Sequence, residues 1–205
     1  MAEYYMFNKP VGCISARCDA RHKTVMDYFP EEKRNIIFPV GRLDKDTEGF
    51  LIVTDDGALC HKLMSPESHI AKTYFFYAIC KDGHVFSGED IKAVESGVRI
   101  YKNKDTVTAP SNVNIVGTGV LGDIKGLLCG KDVKLSERRG NMQTVSGFVT
   151  VTEGKKHQVR RMIGYLGARV VYLKRVSIGG VELDGSLVPG EYRKLTECEL
   201  NILGV

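Results

Sequence analysis

Five carboxylates crowd one short stretch of the chain. Within GRLDKDTEGFLIVTDDG, residues 41–57, stand Asp44, Asp46, Glu48, Asp55 and Asp56. Three kinds of chemistry use such a group. Asp44, Asp46, Glu48 and Asp55 nearly follow the spacing of a twelve-residue calcium loop. Glu at its fifth position, Asp at its twelfth and the apolar run Phe50 to Thr54 argue against that use. A pair of carboxylates can divide acid and base roles when their pKa values are driven apart, but spacing alone does not say which pair shares a cleft. Acidic residues also serve as solvated or capping groups in turns, and this reading suits Asp46, Asp55 and Asp56. Asp44, between Leu43 and a Thr-Glu-Gly turn, stays undecided on its residue type and spacing.

The second dense group is basic. Lys155, Lys156, Arg160, Arg161, Arg169, Lys174 and Arg175 fall in a window with no Asp or Glu, in a chain whose net charge is only +4. The remainder is therefore net acidic. A basic block on an acidic body is the footprint of a polyanion-binding face; a solvated helix face is the plainer alternative. On these grounds Arg160 reads as one more phosphate-binding arginine, Tyr74 as a strand tyrosine and Leu173 as ordinary core.

Composition narrows the classes further. The chain has 205 residues, 43% hydrophobic and 26% charged, which excludes disordered and fibrous proteins. The six cysteines form no CxxC pair, and the histidines at 22, 61, 69, 84 and 157 form no HExxH motif, so no metal site is expected. No GxGxxG or Walker pattern calls for a nucleotide cofactor. No apolar run reaches the ~20 residues that cross a bilayer, and MAEYYMFNKP has no basic head followed by an apolar run, so no signal peptide is expected. A cytoplasmic protein with reduced thiols is the expectation.

The elements that must position these residues read as strand-rich with short helices. Strands are expected over 3–9, 36–40, 50–54, 72–80, 148–152, 168–173 and 176–183. Helices are expected over 25–29, 58–64, 89–96 (started near Ser87 or Gly88) and 158–166, the last on Val159, Met162, Ile163 and Leu166 and closed by Gly167. Residues 117–147 hold seven glycines and weak periodicity, and read as an insertion or extended hairpin. Its Lys131, Lys134, Arg138 and Arg139 form either a second basic surface or a mobile loop. The sum is an α+β fold with a mixed sheet.

GRLDKDTEGFLIVTDDG resembles the GRLDxxTEGLLLLTNDG motif of the pseudouridine synthases of the RsuA/RluB/RluE/RluF type. FNKPVG at 7–12, KTY at 72–74, EGKKHQVRRMIGYLGARVVYLKRVSIGG at 153–180 and LVPGEYRKLTECE at 187–199 resemble other family motifs in the same order. The resemblance implies a pseudouridine synthase catalytic fold over 1–205, mainly antiparallel, with two lobes around a central cleft and no S4 domain. It implies isomerisation of a ribosomal RNA uridine without a cofactor. Asp44 falls on the catalytic carboxylate, Arg160 on the arginine that pairs with it and Tyr74 on the tyrosine that stacks on the base. Leu173 falls on a leucine that packs under the active site, and Arg42 together with Lys155, Lys156, Arg161, Lys174 and Arg175 of the basic block are expected to bind the RNA substrate. The tail favours the small-subunit branch, hence 16S rRNA or an assembly intermediate as partner. A 23S uridine, or a noncatalytic RNA-binding assembly factor, are the alternatives. A monomer with no membrane association is the default.

Overall fold

Strand alternation dictates how this chain sorts its side chains. The computed structural model describes residues 2–81, 86–101 and 106–205. Its elements in chain order are β1 (Tyr4–Lys9), α1 (Glu31–Arg34), β2 (Phe38–Pro39), β3 (Glu48–Thr54), α2 (Gly57–Met64), β4 (Lys72–Cys80), α3 (Gly88–Ser96), β5 (Asn112–Val120), α4 (Lys131–Arg139), β6 (Gln143–Val151), α5 (Gln158–Tyr165), β7 (Ala168–Ile178), β8 (Val181–Glu182), β9 (Tyr192–Lys194) and α6 (Glu197–Leu203). The architecture is α+β with a mixed, mainly antiparallel set of strands. The chain divides into two units, Met1–Lys72 with Lys174–Val205 and Thr73–Leu173.

In the first unit β1 lies between β3 and β9, antiparallel to both. β3 pairs in parallel with the end of β7, setting Glu48 opposite Lys174 and Gly49 opposite Arg175. One face of β1 and β3 presents Met6, Phe50 and Ile52 to a core closed by Leu59 and Leu63 of α2 and Leu203 of α6. The other face of β1 presents Tyr5 and Phe7 to Phe29, which stacks on Tyr192 at 4.2 Å. Asp56 caps α2 by accepting from the Ala58 and Leu59 N–H groups, and Tyr4 donates its hydroxyl to the same carboxylate. At the C-terminal end, Arg193 bridges Asp184 at 2.7 Å and Glu199 at 2.7 Å.

In the second unit the strand order is β5-β6-β4-β7. One face carries Phe76, Ala78, Val145, Val149 and Val151, covered by Val94 of α3 and by Val159, Met162 and Ile163 of α5. The helical stripe expected on 158–166 is thus buried, with Gly167 closing it at φ 82°. Ser87 caps α3, accepting from the Asp90 N–H at 3.1 Å.

The structure corrects some expected boundaries. The break expected between 168–173 and 176–183 is absent: β7 runs through Lys174 and Arg175 to Ile178, the chain turns at Gly179-Gly180, and β8 returns antiparallel to it. The basic pair does not break the strand because β3 supplies its partners. The glycine-rich stretch is neither all hairpin nor all loop: β5 and β6 pair antiparallel, and their connection folds into a 3-10 turn over 121–127 and α4.

Gly49 has φ 107°, and a Cβ there would lie 2.3 Å from the Arg175 carbonyl oxygen. Gly49→Ala therefore combines left-handed strain with a backbone clash and is expected to cost at least about 3 kcal/mol in urea unfolding. A second expectation concerns acid. Asp184 is held down at about 2 by the Ser186 hydroxyl and amide and then by Arg193, and Glu199 at about 2 chiefly by Arg193. Depressed carboxyls lend stability that is full above their unfolded pKa of about 4 and is lost as pH falls through the folded value. Arg193→Met should lower the urea midpoint at pH 7, and the two midpoints should converge towards pH 2.

Candidate active site

The residue the sequence left undecided sits on a loop that is fastened along its whole length. Residues 41–47 leave β2 and enter β3, with Leu43 and Thr47 buried, Asp44 half-buried and Arg42, Lys45 and Asp46 exposed. The Thr47 N–H closes a turn on the Asp44 carbonyl at 3.0 Å. Gly12 donates its N–H to the Lys45 carbonyl at 2.8 Å. The Ser15 hydroxyl accepts from the Leu43 N–H at 3.0 Å and donates to the Leu43 carbonyl at 3.1 Å. Gly41 starts the loop at φ 74°, where a Cβ would meet the Met64 sulfur at 2.4 Å.

The strongest fastening comes from β1. Alternation turns Tyr5, Phe7 and Lys9 to one face, so a lysine follows two aromatics into the interior and is wholly buried. Its ammonium donates to the carbonyls of Pro10 at 3.0 Å, Asp44 at 3.1 Å and Thr47 at 2.9 Å. Burial pushes the Lys9 ammonium below the ordinary lysine range, while the charges of Cys13, Asp46, Asp44 and Glu48 oppose that shift. Three carbonyls satisfy its three donors. FNKPVG reads in sequence as an opening strand and turn; the signal for Lys9 is its place on the same face of β1 as Tyr5 and Phe7.

The other carboxylates of the stretch have separate tasks. Asp55 accepts from the Glu3 N–H at 2.7 Å, Asp56 caps α2, and Glu48 pairs with Lys174 at 3.0 Å. The turn-and-cap reading of Asp55 and Asp56 holds, and two positions of the calcium spacing, Glu48 and Asp55, have partners of their own. Among the described residues no three His, Cys, Asp or Glu side chains are grouped to hold a metal; His84 lies outside the described residues.

The basic window is compensated from outside itself. Lys155 pairs with Glu153, just before the window, Arg169 with Asp132 at 2.6 Å and Lys174 with Glu48. The Arg161 guanidinium lies over the Tyr101 ring at 4.1 Å. Arg175 is 3% exposed and donates Nε to the Phe50 carbonyl at 2.7 Å. The reading of an uncompensated block is thus corrected: partners distant in sequence engage most of it. Lys156 is exposed. Arg160 is half-buried on α5 and donates Nη1 to the Val170 carbonyl at 3.3 Å. Tyr74 is half-buried against the core of the second unit, and Leu173 is buried in that core. Lys72, ahead of Tyr74, is pushed down to about 8 by burial and then by the charge of Arg175, and its ammonium donates to the Ile70 carbonyl.

Lys9→Met would leave the Asp44 and Thr47 carbonyls without their donor. Stability should fall by about 2 kcal/mol or more, and the Gly12 and Thr47 amides should exchange with solvent at least about tenfold faster in native-state hydrogen exchange.

Comparison with known proteins identifies the family. The family model described as RNA pseudouridylate synthase matches residues 3–164. The chain is 44% identical over 201 residues to an uncharacterised RNA pseudouridine synthase, YtzG, of Bacillus subtilis, covering 98% of this chain and 72% of that one. It is 34% identical over 197 residues to the ribosomal small subunit pseudouridine synthase A of Escherichia coli, covering 96% and 72%. A crystal structure of a pseudouridylate synthase superposes with a TM-score of 0.78 at 30% identity, covering 99% of this chain and 74% of that chain.

Proposed function

The chain belongs to the RNA pseudouridylate synthase family, and on that premise we propose that it isomerises a uridine of 16S ribosomal RNA to pseudouridine, with Asp44 as the catalytic carboxylate. The observation that carries this reading is the fastening of the Asp44 loop by Lys9, Gly12 and Ser15. Fixing a reacting group in advance removes orientational cost from the reaction step; of the other carboxylates of the stretch, Asp55 accepts from the Glu3 N–H, Asp56 caps α2 and Glu48 pairs with Lys174.

The reaction breaks the N1–C1′ bond, turns the base and joins C5 to C1′. N1 gains a proton and C5 loses one, so atoms balance within the nucleotide apart from that exchange. An ionised Asp44 either attacks the uridine or removes a ribose proton; both require the anion. A guanidinium stays charged and binds a carboxylate through a planar fork, the role assigned to Arg160. Tyr74 offers a ring to stack on the uracil and a hydroxyl to relay the C5 proton. Extruding the base costs a few kcal/mol; Arg42, Lys155, Lys156, Arg161, Lys174 and Arg175 are assigned to the substrate contacts that offset it, and Arg42 and Lys156 are exposed. The E. coli relative acts on the small ribosomal subunit by name, and the reading of 16S rRNA as substrate rests on that likeness together with the chain's 187–199 tail.

Tritium release from [5-³H]uridine-labelled 16S rRNA, free and in partly assembled particles, tests the reading. The wild type should release tritium and Asp44→Asn should fall to background. Tyr74→Phe should slow release about a hundredfold, and Arg160→Lys at least about tenfold. Release from 23S rRNA alone would move the target, and release by Asp44→Asn at the wild-type rate would remove the carboxylate from the mechanism.

A further inference from the structure

Alternation in the second unit leaves a second face on β6, β4 and β7, opposite the core that α3 and α5 cover. That face is aromatic. Phe75 meets Tyr77 edge-on at 5.0 Å and Phe148 at 5.2 Å, and Tyr77 lies 6.1 Å from Tyr172. The four rings span three adjacent strands, and Phe75, Tyr77 and Phe148 each keep part of their surface in water. Exposed Asn114 stands directly opposite Phe148 in the β5–β6 register and so shares its face. None of these residues has a part in the isomerisation proposed above.

The strip runs into the helical connection. Tyr77 packs on the cluster of Ile79, Leu121, Ile124 and Val171 to which Val133 and Leu135 of α4 also belong. Arg169 of β7 holds Asp132 of the same helix. The two acids of α4 are both engaged, Asp132 by Arg169 and Glu137 by Lys125 at 3.2 Å. Lys131, Lys134, Arg138 and Arg139 are exposed and enter no ion pair among the described residues. The helix therefore offers exposed cations, unpaired among the described residues, beside a sheet face of aromatics and Asn114.

We propose that this face and α4 form a binding surface for single-stranded RNA, with bases stacked on Phe75, Tyr77 and Phe148 and phosphates held by Lys131, Lys134 and Arg138. Stacking on aromatics tolerates any base, and a basic border tracks the backbone. Asn114 adds an amide that can meet a base edge. A protein partner would favour neutral or acidic matches to α4, whereas four cations next to bare rings match a polyanion that carries its own π-faces. The inference rests on RNA as substrate and adds a second grip on it, supplied by the segment between β5 and β6.

The full chain is titrated with a fluorescein-labelled, unstructured twelve-nucleotide RNA by anisotropy across a salt series. Lys134→Glu/Arg138→Glu should weaken binding at least about tenfold and flatten the log–log salt slope by about 1.4, the share of two phosphates on a single strand. Lys92→Glu, on exposed α3, should change binding less than about twofold. Photocrosslinking with 5-iodouridine RNA should label peptides containing Phe75, Tyr77 or Phe148, which a merely structural role of the rings would not produce. Unchanged affinity and slope in the α4 variant, or crosslinks confined to other peptides, would overturn the proposal. Tritium release by the wild type is read separately. RNA binding that depends on α4 without release would keep this surface and reject the isomerase reading; release with α4-independent binding would do the reverse.

Discussion

A buried ammonium cannot stay in the interior without oxygen around it, and that constraint organises the first unit. Lys9 follows Tyr5 and Phe7 onto the apolar face of β1, where water cannot solvate it. The oxygens it needs are backbone carbonyls, and two of the three belong to the loop that carries Asp44. Loop and lysine thus specify each other: the turn presents its carbonyls inward, and the ammonium makes that turn the low-energy one. Gly41 and Gly49 at either end serve the same arrangement, one giving room to Met64 and the other letting β3 approach the Arg175 backbone.

The second unit follows a different logic. Its strands bury one face under helices in the ordinary way, while the connection between β5 and β6 covers only part of the other. Charge is distributed accordingly. The 155–175 window, the more conspicuous in sequence, has most of its cations engaged by Glu153, Asp132, Glu48 and Tyr101. All four of the less conspicuous cations of α4 face water.

What was legible in the sequence was local. The stripe on α5, the Ser87 cap, the Asp55-Asp56 turn and the long aromatic strand β4 each arise from residues within a few positions of one another. α6 carried the same kind of signal, Thr196 with Glu199 three residues on forming a capping box, and was passed over. What was not legible depends on partners far along the chain. Lys9 needs residues 44 and 47, Arg175 needs Phe50, and Arg169 needs Asp132. A window of charge counts cannot see such pairings, so it overstated the free basic surface. The strand over 112–120 escaped because its alternation is broken by a bulge between Ile115 and Gly117.

The first unit is discontinuous in sequence, and this bears on how the protein is made. β9 pairs with β1 across nearly the whole chain, Tyr5 opposite Lys194, and Leu203 of α6 helps close the core beneath β3. During synthesis the segment 73–173 has all its strands available before the last part of the first unit leaves the ribosome. The unit that holds Asp44 must wait for that late closure. A nascent or prematurely terminated chain that lacks β9 therefore leaves Tyr5 and Phe29 without the Tyr192 ring that packs on them.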